Sequence, residues 1–149
     1  MDTTSKTPLT AAAWSARAIA GVTGGLAGGV VFGMLMQMMG MLPMVAMLVG
    51  STSPAVGWIV HLAISGFIGA TYALLLGRWA TNPGASAALG AGYGLLWWVL
   101  GPLLIMPARL GMDLFMFNAM TRQSLMGHLV YGLVLGLVFA LVRPRLGRG

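Results

Sequence analysis

Four stretches of the chain stay apolar long enough to cross a bilayer, and the charged residues gather between them. They run roughly from Ala18 to Leu42, Val56 to Gly77, Ala85 to Met106 and Ser124 to Val142, and none contains Asp, Glu, Lys or Arg. A helix needs about 20 apolar residues to span a hydrocarbon core of about 30 Å. Inside lipid every backbone polar group must be satisfied within the protein, which restricts spanning segments to helices and closed barrels. The two-residue alternation of a barrel strand is absent. The pattern therefore predicts an all-α integral membrane protein with four transmembrane helices. Residues 1–17 form an N-terminal segment, 18–77 and 85–142 two helical pairs, 78–84 a short turn, and 143–149 a basic tail.

Composition strengthens this reading: 58% of the residues are hydrophobic and 7% charged, and mean hydropathy is +0.91, far from the balance of a soluble domain. The first apolar run is too long and glycine-rich for a cleavable signal peptide, so it is expected to remain as a helix. With no cysteine in the chain, disulfides, thiolate metal sites and thiol catalysis are excluded. Charge sets the orientation. Lys6, Arg17, Arg78, Arg143, Arg145 and Arg148 fall on the side of both termini, against Arg109 and Arg122 on the other. Positive charge is retained inside, which predicts a multi-pass protein of the bacterial inner (plasma) membrane, with cytoplasmic termini and outward loops near 43–55 and 107–123. The tail "RPRLGRG" reads as a topology signal beside anionic lipid. It is too short to suggest a nucleic-acid partner.

The chain also repeats itself. Gly29, Gly33, Gly40 and Gly50 recur at Gly90, Gly94, Gly101 and Gly111, a constant offset of 61 residues. Beyond the second outer loop the offset is 67, and "HLAISGFIGATYAL" lies over "HLVYGLVLGLVFAL", pairing His61 with His128. Each copy holds two spans, so both insert in the same sense as two tandem hairpins, a parallel repeat related by a pseudo-two-fold axis along the membrane normal. Glycines at four-residue steps, Gly21, Gly25, Gly29 and Gly33, give the first helix a face without side chains. Ser86, Gly90 and Gly94 do the same for the third, Ser65, Gly69 and Ala73 for the second, and Gly132, Gly136 and Ala140 for the fourth. Helices in lipid associate by close packing, which such stripes allow. Pro102 lies inside the third span, where it should kink the helix and free a carbonyl.

His61 and His128 each lie four residues before a member of a small-residue stripe, so both are expected to point into the bundle at similar depth near its outward end. Three readings stand open. The imidazoles act as interhelical glue, hydrogen-bonded to a backbone carbonyl or to Ser65, Tyr72, Tyr93 or Tyr131. They are axial ligands of one b-type haem, with Arg109 and Arg122 as propionate partners. Or they join Met38, Met39 and Met41 in a soft Cu(I) site. Proton or ion conduction through the pair is a further option. Zinc chemistry lacks ligands, since Asp2 and Asp113 are the only acidic residues. Paired carboxylates, a phosphate-binding loop and a serine nucleophile elbow are all missing, and no enzyme is expected.

"MLMQMMGMLPMVAM", from Met34 to Met47, holds seven methionines in fourteen residues. Ten of the thirteen methionines fall near the outward side: Met38, Met39, Met41, Met44 and Met47, then Met106, Met112, Met116, Met120 and Met126. Methionine is also a flexible gap filler where loops meet helix ends. The segments "MLPMVAMLVG" and "ARLGMDLFMFNAM" are too apolar for ordinary loops and should lie in the interface as short helices, a lid over the histidines.

In "GMLPMVAMLVGSTSPAVGWIVHL" and its counterpart from Gly94 to Leu141, the chain resembles a group of small prokaryotic four-span membrane proteins. It is more distantly similar to the YagU-type inner-membrane family. The resemblance covers about Gly24 to Val142 and implies the membrane topology; it carries over no catalytic residue. The expected role is a binding or accessory subunit with an outward pocket or partner surface, in a larger membrane complex or a homo-oligomer. The alternative is a small homo-oligomeric transporter or channel.

Overall fold

The computed structural model describes residues 10–146, and among them all regular structure is helical. Of the expected terminal segments 1–17 and 143–149, residues 1–9 and 147–149, with Asp2, Lys6 and Arg148, lie outside the described residues. The long helices are α1 (Ala11–Met38), α3 (Pro54–Leu76), α4 (Pro83–Leu100) and α6 (Ala119–Leu146). Between α1 and α3 lies the short helix α2 (Leu42–Met47), and α4 runs through a π-helical turn, Gly101–Ile105, into α5 (Met106–Leu110). Four segments, Ala11–Met38, Pro54–Leu76, Pro83–Leu110 and Ala119–Pro144, are long and apolar enough to cross a membrane. Helix α1 begins earlier than the hydropathy pattern suggested, which places Arg17 inside it.

Helix ends follow local chemistry. The Thr10 side chain accepts from the Ala13 amide at 3.3 Å, and Asn82 accepts from Ala85 at 2.9 Å with Pro83 opening the helix. Asn118 and Thr121 close a reciprocal cap ahead of α6: Asn118 Oδ1 accepts from the Thr121 amide at 3.0 Å, and Thr121 Oγ1 from the Asn118 amide at 2.9 Å. Helix α1 stops at Gly40, whose φ of 67° is left-handed. The Met41 amide folds back to the Met36 carbonyl at 2.9 Å, the six-to-one bond of a Schellman end. Sixty-one residues on, Gly101 does not stop its helix. Pro102 has no amide to give, and the ladder widens by one residue so that the Met106 amide reaches the Gly101 carbonyl. The expected kink is thus a π turn, and the helix ends only at Gly111, again left-handed.

Helix α1 packs along both α3 and α6, and α6 along α4, so the helices follow the order α3, α1, α6, α4. Contact between α3 and α4 is slight. Glycine sets the close seams. A Cβ on Gly25 would strike the Ser65 carbonyl, and one on Gly69 would strike the Gly21 carbonyl; Gly90 and Gly132 stand in the same relation, as do Gly136 and the Ser86 carbonyl. Gly29 lies against the Ser65 side chain, Gly33 against the Trp58 ring, and Gly94 against the His128 carbonyl. Helix α1 has a second bare face. Cβ atoms on Gly24 and Gly28 would come within 2.7 Å of the Leu135 and Tyr131 carbonyls of α6.

Polar groups in the core pair across helices. Tyr131 donates to the Ser65 carbonyl and Tyr72 to the Ser86 carbonyl, each at 2.8 Å, and Ser86 Oγ donates to the Gly136 carbonyl at 2.6 Å. Thr71 and Tyr93 hydroxyls meet at 2.8 Å, a bridge between α3 and α4. At the end of the bundle holding the termini, Arg143 donates to the Gly77 carbonyl at 2.7 Å and Arg78 stacks 3.6 Å over the Trp79 ring. The flanks expose large apolar side chains such as Ile19, Phe67, Leu75 and Leu141, as a lipid-facing surface requires.

Candidate functional site

Where α3 and α4 part, at the end of the bundle away from the termini, they leave a cavity of about 460 Å³. From α3 it is lined by His61, Ser65 and Ile68, from α4 and its continuation by Trp97, Pro102 and Met106, and from α6 by Ser124, His128 and Tyr131. The connections supply the rest. Helix α2 and its approach bring Met41, Met44 and Val45, and the chain from 111 to 120 brings Met112, Asp113, Met116 and Met120. Counting Met36 and Met106, seven methionines border one space. Cavities of this size with apolar walls and a few polar groups are the usual form of small-molecule sites.

Each imidazole is held by a backbone carbonyl. His61, 8% exposed, lies 2.9 Å through Nε2 from the Gly29 oxygen of α1. His128 lies 2.8 Å through Nδ1 from the Ser124 oxygen one turn earlier in its own helix, with Ser124 Oγ farther away at 3.3 Å. A carbonyl oxygen only accepts, so the hydrogen sits on Nε2 of His61 and on Nδ1 of His128. The opposite nitrogens, Nδ1 of His61 and Nε2 of His128, make no hydrogen bond among the described residues. The tyrosines, expected as side-chain partners of the histidines, are bonded to backbone or to Thr71 instead, and no hydrogen bond joins the Ser65 hydroxyl to either imidazole among the described residues.

The Phe32 ring lies edge-on to both imidazoles, its centroid 5.4 Å from His61 and 4.9 Å from His128. A porphyrin clasped between the two rings would need the space that Phe32 fills, and Arg109 and Arg122 are exposed and do not line the cavity. The haem arrangement therefore does not fit. Of the three methionines assigned to a copper site, Met41 borders the cavity with both histidines, Met38 is 83% exposed, and Met39 packs on the core away from the lining. Successive positions on a helix diverge by about 100°, which separates Met38 and Met39 from Met41 once α1 ends at Gly40. Among the described residues no three His, Asp or Glu side chains gather as a metal site.

Two lining residues escaped the reading of the sequence. Phe32 follows Gly28 by one helical turn, and that spacing could have placed it beside the close seam. Asp113 is the only acidic residue between positions 10 and 146, and its rarity was the available signal. Trp97 borders the cavity too, but its Nε1 is turned away, covered and without a hydrogen-bond partner, next to the rings of Tyr93 and Phe67 at 6.2 and 6.4 Å.

Below the cavity, toward the termini, Tyr72 packs against Tyr93 and Phe139, with ring centroids 5.7 and 5.4 Å away. Tyr72 and Phe139 are fully buried, and this layer separates the cavity from the other end of the bundle. The second connection is fastened by the Phe115 amide, which donates to the Leu103 carbonyl at 2.9 Å, with Phe115 itself at a φ of 54°. Comparison with protein-family models, curated proteins and solved structures finds no match.

Proposed function

We propose that the chain is a non-enzymatic binding or accessory protein of the bacterial inner membrane, which takes a small, largely apolar ligand into an outward-facing cavity. One observation carries the reading: a 460 Å³ space with methionine and aromatic walls opens where two apolar helices separate, so that a ligand dissolved in lipid reaches it sideways. In this reading the two hairpins arose by duplication, as their matched glycine seams suggest, Gly29 on Ser65 in one and Gly90 on Gly132 in the other. A transporter would have to open the aromatic layer of Tyr72, Tyr93 and Phe139, and the closed packing there favours the binding role.

Filling the space tests it. Ile64 borders the cavity on α3 and is 38% exposed, so Ile64→Trp adds bulk at a half-open position. Protein extracted from native membrane should carry a ligand detectable by mass spectrometry, and the variant should lose it. A ligand retained equally by both proteins, or found on neither, would sink the proposal. Orientation has its own check in a chain without cysteine: Ser51→Cys should react with a membrane-impermeant maleimide on intact spheroplasts, and the exposed Thr81→Cys should react only once the membrane is opened.

A further inference from the structure

The chemistry of the cavity wall narrows the occupant, given the reading of this space as a ligand site. The polar hydrogens of its imidazoles and its tyrosine are already spent. Those of His61, His128 and Tyr131 go to the carbonyls of Gly29, Ser124 and Ser65, and the Thr121 hydroxyl donates to the Asn118 carbonyl at 3.0 Å. Lining the space are two histidines, each with one unpartnered ring nitrogen, and seven methionines, beside the Ser65 and Ser124 hydroxyls, which can donate or accept. The ring nitrogens and sulfurs can only accept, which suits a guest that brings its own hydrogens.

Charge points the same way. The described chain has a single carboxylate, Asp113, in a protein of net charge +6, and it lies on the rim of this cavity with no ion pair among the described residues. Phe32, Phe67 and Trp97 line the same space, and aromatic faces attract cations. Methionine sulfur and aromatic carbon suit an apolar, polarizable body. We infer that the cavity binds a lipophilic organic ammonium ion, its apolar body among the methionines and its N–H group directed to the His128 lone pair and the Asp113 carboxylate. A soft metal ion would use the same sulfurs, but it would fill a small part of 460 Å³ and has no use for a carboxylate.

A matched set of probes separates these outcomes: 4-butylbenzylammonium, 4-butylbenzyl alcohol and 4-butylbenzoate, titrated calorimetrically into the full chain in nanodiscs of zwitterionic lipid. The ammonium should bind at least tenfold more tightly than the other two. Asp113→Asn should remove most of that advantage and leave the alcohol unchanged, and His128→Phe should weaken the ammonium more than the alcohol. Alcohol or benzoate binding as tightly as the ammonium would overturn the inference, and so would an ammonium affinity indifferent to Asp113→Asn. Silver ion displacing the ammonium with full strength in Asp113→Asn would also overturn it, in favour of a methionine metal site. If the alcohol binds equally well and Ile64→Trp abolishes it, the cavity remains a ligand site and only the cation claim falls. If no probe binds and the native ligand is missing too, both readings fall.

Discussion

The two hairpins meet tightly along one seam and stand apart along the other. Between α1 and α6, Gly24 and Gly28 admit the backbone at Leu135 and Tyr131. Sixty-one residues after those glycines come Ala85 and Leu89, and on the facing side α3 carries Ile64 and Ile68. Branched and long side chains hold helices at ordinary distance, whereas bare backbone lets them touch. Tyr93 and Thr71 then bridge the looser pair through their hydroxyls. The bundle thus has a closed seam with two glycines and an open one without them, and the open one is where the cavity lies.

The largest effect should come from breaking the closed seam. Gly28→Leu drives a side chain into the Tyr131 carbonyl and ring, and overpacking of this kind costs typically about 1–3 kcal/mol even when side chains can yield. Because the obstruction includes backbone, the cost should reach the upper end, read as an earlier unfolding midpoint in mixed detergent micelles. A midpoint like that of the parent protein would mean that the seam is not tight.

The histidines offer a smaller contrast. His61→Ala removes a bond between helices, and His128→Ala one within a helix; both lose packing against Phe32. The first should cost more by about 1 kcal/mol, the usual scale of an interhelical hydrogen bond in a membrane. Equal costs from the same unfolding assay would show that the Gly29 bond adds nothing. Smallest is Pro102→Ala. It returns an amide to the ladder and lets the π turn relax to regular helix, so stability should change by about 0.5 kcal/mol or less. Ligand binding should suffer more than stability, because Pro102 borders the cavity. Unaltered binding would detach the π turn from the site.

Much of this fold was legible because lipid leaves a chain few options. Four apolar runs became four helices, and Gly25, Gly29, Gly69, Gly90, Gly132 and Gly136 lie at helix contacts as four-residue spacing requires. The Gly24 and Gly28 pair obeys the same spacing on a second face of the same helix. The helix order was not legible, since it depends on which of two seams closes. The histidines were correctly expected inside the bundle, but a residue from a third helix, Phe32, fills the space between them, and periodicity along one helix says nothing about such an intruder. Gly40 and Gly101, sixty-one residues apart, behave differently. The next residue makes the difference, Met41 at a helix end and Pro102 in a widened turn.

One roof of the cavity is a helix and the other is not. Helix α2 lies so close on α3 that a Cβ at Gly57 would enter the Leu42 carbonyl, and the two helices pack as one body. The stretch from Met112 to Asn118 has no helix of its own and is pinned at separate points, by the Met112 amide on the Pro107 carbonyl, the Phe115 amide on the Leu103 carbonyl and the Asn118–Thr121 cap. The two hairpins therefore wall the same end of the cavity by different means. The first sets a helix flat against its neighbour, and the second an extended strap tacked down residue by residue, with Asp113 between two of the tacks.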